Sequence, residues 1–286
     1  MRTLKTVDEI RRFSRARKAA GDTVALVPTM GYLHEGHLSL VREAGRRASC
    51  VLVSIFVNPI QFGPREDLDR YPRDLPRDTA LLQAEGVDAL FAPEAEEMYP
   101  AGFATRVTVE GPLTQGLCGA RRPGHFAGVA TVVTKLFAAC EPDLALFGQK
   151  DAQQAAVIRR FTKDLNLPVE IVVCPIVRDE DGLALSSRNV YLSPEERKEA
   201  PVLHRSLRRA EALFAGGERR AQVLVEAVRE ELAQAPLARI DYVEVVDAES
   251  LVPVKTVESP ALLALAVFFG ATRLIDNTVL TPVRGA

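Results

Sequence analysis

The sequence predicts an α/β fold: a parallel sheet with helices on both faces, followed by a smaller C-terminal α/β domain. Three observations carry the prediction. Five runs, at 24–28, 50–57, 87–93, 143–148 and 169–177, are predominantly apolar, and several are too continuously apolar to have a wet face. Between them, 36–48, 73–85, 128–140 and 151–164 repeat apolar residues at helical spacing, the strand–helix–strand alternation of a parallel sheet. Near residue 190 the pattern changes to charged helices and then to a second group of strands, which divides the chain into 1–188 and 189–286.

Taken in order, the Arg-rich start "MRTLKTVDEIRRFSRARKAAGD" places Leu4, Val7, Ile10 and Phe13 at helical spacing. Asp8 and Glu9 interrupt its basic run, so a solvated first helix is expected rather than a transit peptide. The strand "VALVP" follows, and with the next four it forms a Rossmann-like series in which ligands bind at the carboxyl ends of the strands. The stretch 110–128 is too rich in glycine and proline to be a single element, and loops of that size often serve a site. In the second domain, "YLSPEERKEAPVLHRSLRRAEALF" opens with Ser193 as N-cap, Pro194 in the first turn and Glu196 completing a capping box. A second helix is expected at 219–234, then strands at 240–247, 261–270 and 272–277.

Composition narrows the partners. With 286 residues, 47% hydrophobic and 26% charged, and a formal net charge of −2, nothing global favours nucleic acid or an anionic membrane. The four cysteines, Cys50, Cys118, Cys140 and Cys174, form no C-x-x-C pair and read as buried thiols of a cytoplasmic protein. No apolar run approaches the roughly 20 residues that span a bilayer.

The stretch "PTMGYLHEGHLSLVREA" (28–44) carries the first functional signal. Zinc proteases space their histidines at i and i+4 on a continuous helix. Here His34 and His37 are three apart, flanked by Gly31 and Gly36, with no third ligand nearby. An anion site fits better. A strand ends, a helix begins near residue 36, and its free N–H groups and positive dipole end face the strand's carboxyl end. Gly36 lets a ring or phosphate approach the main chain. Histidines at a helix N-terminus are biased toward the neutral form, which donates an N–H to phosphate.

"HEGH" after a first strand resembles the H-x-G-H signature of the adenylyl-transferring Rossmann superfamily, which includes nucleotidyltransferases and class I aminoacyl-tRNA synthetases. Further stretches narrow the resemblance: "VSIFVNPIQFGPREDLDRYPRD", "RPGHFAGVATVVTKLF", "FGQKDAQQ", "GLALSSRNVYLS" and "TRLIDN". Together these blocks resemble the pantothenate synthetase (pantoate–β-alanine ligase) family over nearly the whole chain, in the family's order. The resemblance implies ATP-dependent ligation. Pantoate carboxylate attacks the α-phosphate of ATP and releases pyrophosphate; β-alanine then attacks the pantoyl adenylate and expels AMP. Mg²⁺ on the phosphates is expected, with its protein ligands left open.

The remaining candidates follow from that resemblance. Met30, Gly31, His34, Gly36, His37, Gly148, Gln149, Lys150, Asp151, Val177, Leu185, Ser186, Ser187 and Arg188 are implied around ATP, Val177 through its backbone. Of these His34, His37, Lys150 and Arg188 are the expected catalytic set. Lys150 suits phosphate as a point charge and Arg188 as a bidentate donor, whereas Asp151 is equally readable as a helix cap. "LALSSRN" loosely resembles the mobile K-M-S-K-S loop of the synthetases, but Leu185 replaces its methionine and its lysines are missing. Gln61 and Gln154 are implied at pantoate, Gln61 also at β-alanine, and Asn58 lies beside Gln61; neutral amides serve hydroxyls without adding negative charge. His125 stays outside the catalytic set, His204 reads as an ordinary helix residue, and Glu66, Asp67 and Asp69 read as a solvated face. A homodimer is expected from the apolar segments "ALLALAVFFG" and "GVATVVTKLFAAC". Two rivals are a nucleotidyltransferase acting on a phosphate ester and a tRNA-binding module; the second is disfavoured by the lack of a basic stripe.

Overall fold

The computed structural model describes residues 1–64 and 66–282. Its first elements are β1 (Arg2–Leu4), α1 (Val7–Ala19), β2 (Val24–Thr29), α2 (Glu35–Arg47), β3 (Cys50–Ile55), α3 (Leu75–Ala84), β4 (Ala89–Phe91) and α4 (Ala95–Met98). Then come α5 (Pro112–Gln115), α6 (Leu117–Arg121), α7 (His125–Cys140), β5 (Leu144–Gly148), α8 (Ala152–Asp164) and β6 (Glu170–Cys174). The chain continues with α9 (Pro194–Glu199), α10 (Val202–Ala215), α11 (Ala221–Leu232), β7 (Ala238–Asp247), β8 (Ala261–Phe269) and β9 (Thr272–Leu280).

The chain forms two compact units. The first comprises Met1–Val109, Arg122–Gln149 and Val157–Pro175; the second comprises Glu110–Arg121, Lys150–Ala156 and the chain from Ile176 onward. In the first unit six strands form one sheet in the order β1-β4-β3-β2-β5-β6, and every pairing is parallel. Val24 to Val27 are all 0% exposed, so this central strand is covered on both faces, as its unbroken apolar run requires. Ala25 and Val27 pack with Leu40, Val41 and Ala44 of α2 and Leu82 of α3. Leaving water stabilises a buried leucine such as Leu26 or Leu52 by about 2 kcal/mol. The sheet order reverses at β2, which has β3 on one side and β5 on the other. The crevice at the carboxyl ends of β2 and β5 is therefore the topological switch point, where such sheets bind ligands.

The second unit holds the antiparallel sheet β7-β8-β9. Leu203, Leu207 and Phe214 of α10 and Leu224, Val228 and Leu232 of α11 pack on Val243, Leu263, Leu265, Val267 and Leu274.

Three local differences from the expected elements have physical causes. Leu4 lies in a three-residue edge strand paired with β4, not in the first helix, which starts after the Thr6 cap. The Ser193 capping box is present, but the helix it opens ends at Glu199 and α10 restarts at Val202. Pro201, which lacks an N–H, sits at that break. Finally, α7 starts at His125, three residues before the expected 128, because Gly124 takes a left-handed φ of 82° at its N-cap.

All four cysteines are free and buried. Burial pushes the Cys140 thiol up to about 12. A thiol-specific reagent at mildly alkaline pH is therefore expected to find no fast-reacting thiol in the native protein and all four in denaturant. A native cysteine reacting at the speed of a free model thiol would contradict this burial.

Candidate active site

At the end of β2 the chain makes a tight turn into α2. Thr29 Oγ1 donates to the Ser54 carbonyl at 2.8 Å and accepts the Gly31 N–H at 3.2 Å. Gly31 has φ +81°, and a Cβ there would sit 2.9 Å from Ile55 Cγ2 and 3.1 Å from Asp78 Oδ2. Tyr32 follows at φ +48°, an uncommon conformation for a bulky residue. Asp78, on α3 and 1% exposed, holds this bend: its carboxylate accepts the Tyr32 N–H at 2.7 Å and the Leu33 N–H at 2.8 Å. Burial lifts its pKa above the ordinary carboxylate value, against the opposing pull of those two amides.

His34 then caps α2 with an extended backbone. Its N–H donates to His37 Nδ1 at 3.3 Å, and the two imidazoles lie 4.1 Å apart with a 37° tilt. An accepting Nδ1 places the neutral ring's proton on Nε2, so His37 is an N–H donor at the start of the helix. Met30, Gly31, His34, Gly36 and His37 thus share one strand-to-helix turn.

The turn after β3 supplies the amides. Asn58 is 1% exposed and its Nδ2 donates to Gln61 Oε1 at 2.9 Å and to the Gly128 carbonyl at 3.2 Å. Tyr99 Oη donates to Asn58 Oδ1 at 2.7 Å, and burial raises its phenol pKa, which keeps it a donor. Gln61 Nε2 in turn donates to Met30 Sδ at 3.3 Å. Met30, Asn58 and Gln61 are therefore brought together, with Asn58 orienting the Gln61 carboxamide. Glu66 is not part of a solvated face. It accepts two bonds from Arg122, at 2.7 and 2.6 Å, and these with the Gly63 amide hold its pKa below normal although burial alone would raise it.

β5 ends at Gly148, beside β2 in the sheet, and Gln149–Asp151 form a single tight helical turn before α8. In the second unit, Lys150 Nζ lies 3.3 Å from Asp151 Oδ2, and the Lys150 carbonyl accepts from Asn277 Nδ2 at 3.0 Å. Gln154 is half-buried. Its neighbour Gln153 is structural, fastening Cys118 N and the carbonyls of Leu113 and Gly116. Val177 lies past the end of β6, and its carbonyl accepts the Leu185 N–H at 3.0 Å, closing a small hairpin. Arg178 pins that hairpin to Asp276 through bonds of 2.6 and 2.9 Å. Asp276 and Asn277, adjacent on β9, thus anchor the Val177–Leu185 hairpin and Lys150 respectively. Ser186 Oγ accepts the Arg188 N–H at 3.3 Å, which starts the turn containing Ser187 and Arg188. His204 packs its ring against Gly182, 2.4 Å from where a Cβ would stand, and burial lowers its pKa.

A sequence model of pantoate-beta-alanine ligases matches residues 2–279. The chain belongs to the pantoate–β-alanine ligase family. It is 61% identical to the pantothenate synthetase of Roseiflexus sp. (strain RS-1) over 280 residues, 98% of this chain and 99% of the relative. The crystal structure of pantothenate synthetase from Thermus thermophilus superposes with a TM-score of 0.93 at 54% identity, covering 99% of this chain and all of that one. The Francisella tularensis pantoate–β-alanine ligase, solved with β-γ ATP and β-alanine, gives a TM-score of 0.79 at 31% identity over 98% and 97% of the two chains. Membership makes the protein an ATP-binding ligase that forms an amide bond.

Sequence reasoning missed several residues that hold candidate residues in place within their own units. Asp78, Tyr99 and Asn277 act through contacts 41 to 127 positions away along the chain. Their only local signal was a polar residue in an otherwise apolar segment, and Asn277 stood inside a block already singled out without being given a role.

Proposed function

We propose that this ligase activates the carboxylate of pantoate as pantoyl adenylate, releasing pyrophosphate, and then passes the acyl group to the amine of β-alanine, releasing AMP. In the first step a carboxylate oxygen bonds to the α-phosphorus as the bond to pyrophosphate breaks. In the second, the amine bonds to the acyl carbon, AMP leaves with the electron pair of the C–O bond, and the amine loses a proton. The observation that carries the reading is the His37 Nε2–H donor at the start of α2. It would meet the charge that builds on phosphate oxygens as an anion approaches a triphosphate.

His34 and His37 serve phosphate as neutral donors, and Lys150 and Arg188 supply the positive charge. Met30, Gly31, Gly36, Gly148, Gln149, Asp151, Val177, Leu185, Ser186 and Ser187 complete the nucleotide contacts. Gln61 and Gln154 take the hydroxyls and carboxylate of pantoate, and Gln61 also meets β-alanine. Asn58 contributes by holding the Gln61 carboxamide. Among the described residues no three His, Cys, Asp or Glu side chains group to hold a metal ion. Mg²⁺ is proposed on the phosphates of ATP, with its protein ligands left open. Residues 1–188 are proposed as the ATP- and pantoate-binding domain and 189–286 as the smaller lid domain.

Cytoplasmic location is supported by four buried free thiols. Among the described residues no helix is long and apolar enough to cross a membrane. A homodimer remains the proposed assembly, although both segments that suggested it are spent inside their own units: Leu263 and Leu265 in one core, Val129 to Val133 buried in α7.

The test is mass spectrometry of the enzyme with ATP, pantoate and Mg²⁺ but no β-alanine. A bound species of pantoyl adenylate mass is expected, discharged to pantothenate when β-alanine is added. Only intact ATP and pantoate on a competent enzyme would overturn the mechanism.

A further inference from the structure

The amino-terminal end of α7 touches the 58–61 turn at successive positions of one helix face. Gly128 brings its Cα so close that a Cβ would lie 2.5 Å from the Ile60 carbonyl oxygen and 2.6 Å from Gln61 Cα. Its own carbonyl accepts from Asn58 Nδ2. His125, one turn earlier and 8% exposed, places Nδ1 2.9 Å from the Gln61 carbonyl oxygen. Its Nε2 lies 3.0 Å from Arg122 Nη1, and Arg122 is clamped by Glu66 through two bonds of 2.7 and 2.6 Å.

The chemistry at the two ends fixes the imidazole. A carbonyl oxygen can only accept, so Nδ1 carries the proton; a guanidinium can only donate, so Nε2 accepts. Arg122 therefore donates both ways, to the Glu66 carboxylate and to His125 Nε2, and His125 in turn donates to the Gln61 carbonyl. Asn58 holds the Gln61 side chain and His125 holds its main chain. Rotation of the turn would have to break both.

We propose that His125 is a positioning residue for the organic acid: set in its Nδ1–H form by Arg122 and Glu66, it fixes the Gln61 carbonyl and so aims the Gln61 carboxamide at pantoate. The inference rests on the reading that Gln61 meets pantoate. It concerns orientation, and His125 touches no reacting atom in it.

The decisive comparison uses alanine, asparagine and glutamine at this position. An asparagine amide reaches the place of Nδ1 and can still donate to the Gln61 carbonyl, whereas a glutamine amide reaches the place of Nε2. His125→Ala and His125→Gln are expected to raise KM for pantoate by about tenfold, with KM for ATP changed by less than about twofold, and His125→Asn to restore most of the loss. Gln61→Ala, assayed beside them, should raise KM for pantoate at least as much. If Gln61→Ala leaves it unchanged, the pantoate assignment fails and this inference with it. If Gln61→Ala raises it and His125→Ala does not, the positioning role alone is overturned. Equal impairment of His125→Asn and His125→Ala, or a parallel rise in KM for ATP, would reduce His125 to packing and likewise overturn it.

Discussion

Replacing His37 by alanine is expected to cut pantoate-dependent ATP–pyrophosphate exchange by about a hundredfold or more, about 3 kcal/mol of transition-state stabilisation. The size follows from where the donor stands. Its Nδ1 is taken by the His34 amide, and its Nε2–H projects from the first turn of a helix whose dipole also favours negative charge. The tautomer predicts an order among substitutions. Glutamine can place an N–H near the position of Nε2, whereas asparagine reaches only that of Nδ1. His37→Gln should therefore retain more exchange than His37→Asn, which should resemble His37→Ala. Melting temperatures should change little, because the ring lies at a helix start rather than in the core. Near wild-type exchange in His37→Ala would sink the assigned role. Asparagine outperforming glutamine would show that the other nitrogen is the donor.

The local frame around His37 is legible in the sequence, whereas the tautomer is not. Strand, glycine turn, histidine pair and helix are contiguous between Val24 and Arg47, and periodicity reads contiguous things well. What was not legible is what acts across the chain. Glu66 looks like one acid of a solvated run until Arg122, 56 positions on, is folded against it. The edge strand Arg2–Leu4 is three residues long and exists only because Ala89–Phe91 offers it partners; its leucine fits a helical repeat equally well. Asn58 and Gln61 were identified together from their place after a strand. Their division of labour needed the hydrogen-bond directions, with Asn58 facing inward to Tyr99 and Gly128. Pro201 is a different case: the break is written in the sequence, but the amphipathic pattern on either side continues across it as one helical repeat.

Asp78→Ala is expected to lower both stability and activity, which separates it from His37→Ala. Its carboxylate is the acceptor for two amides of the turn, at 2.7 and 2.8 Å, in a place with 1% exposure. Removing it takes that acceptor from a buried Leu33 N–H and a part-buried Tyr32 N–H, a loss on the order of 3 kcal/mol in urea denaturation. Tyr32 is held at φ +48° by one of those bonds, so the turn should relax toward ordinary backbone angles and carry the His34 cap with it. Pyrophosphate exchange should therefore fall as well, in a protein that is measurably less stable, and unchanged stability would show that water can replace the carboxylate. The pH dependence separates charge from geometry. Because burial raises the folded-state pKa above 3.8, Asp78 binds its proton more tightly in the folded chain than in the unfolded one. Its contribution is complete below the unfolded value and is lost as pH rises through the folded value. The advantage of the wild type over Asp78→Asn, whose amide carries no charge, should thus be larger at about pH 4 than at about pH 7. An advantage that grows with pH would mean that the two amides outweigh burial, and that the ionised carboxylate is the form the fold selects.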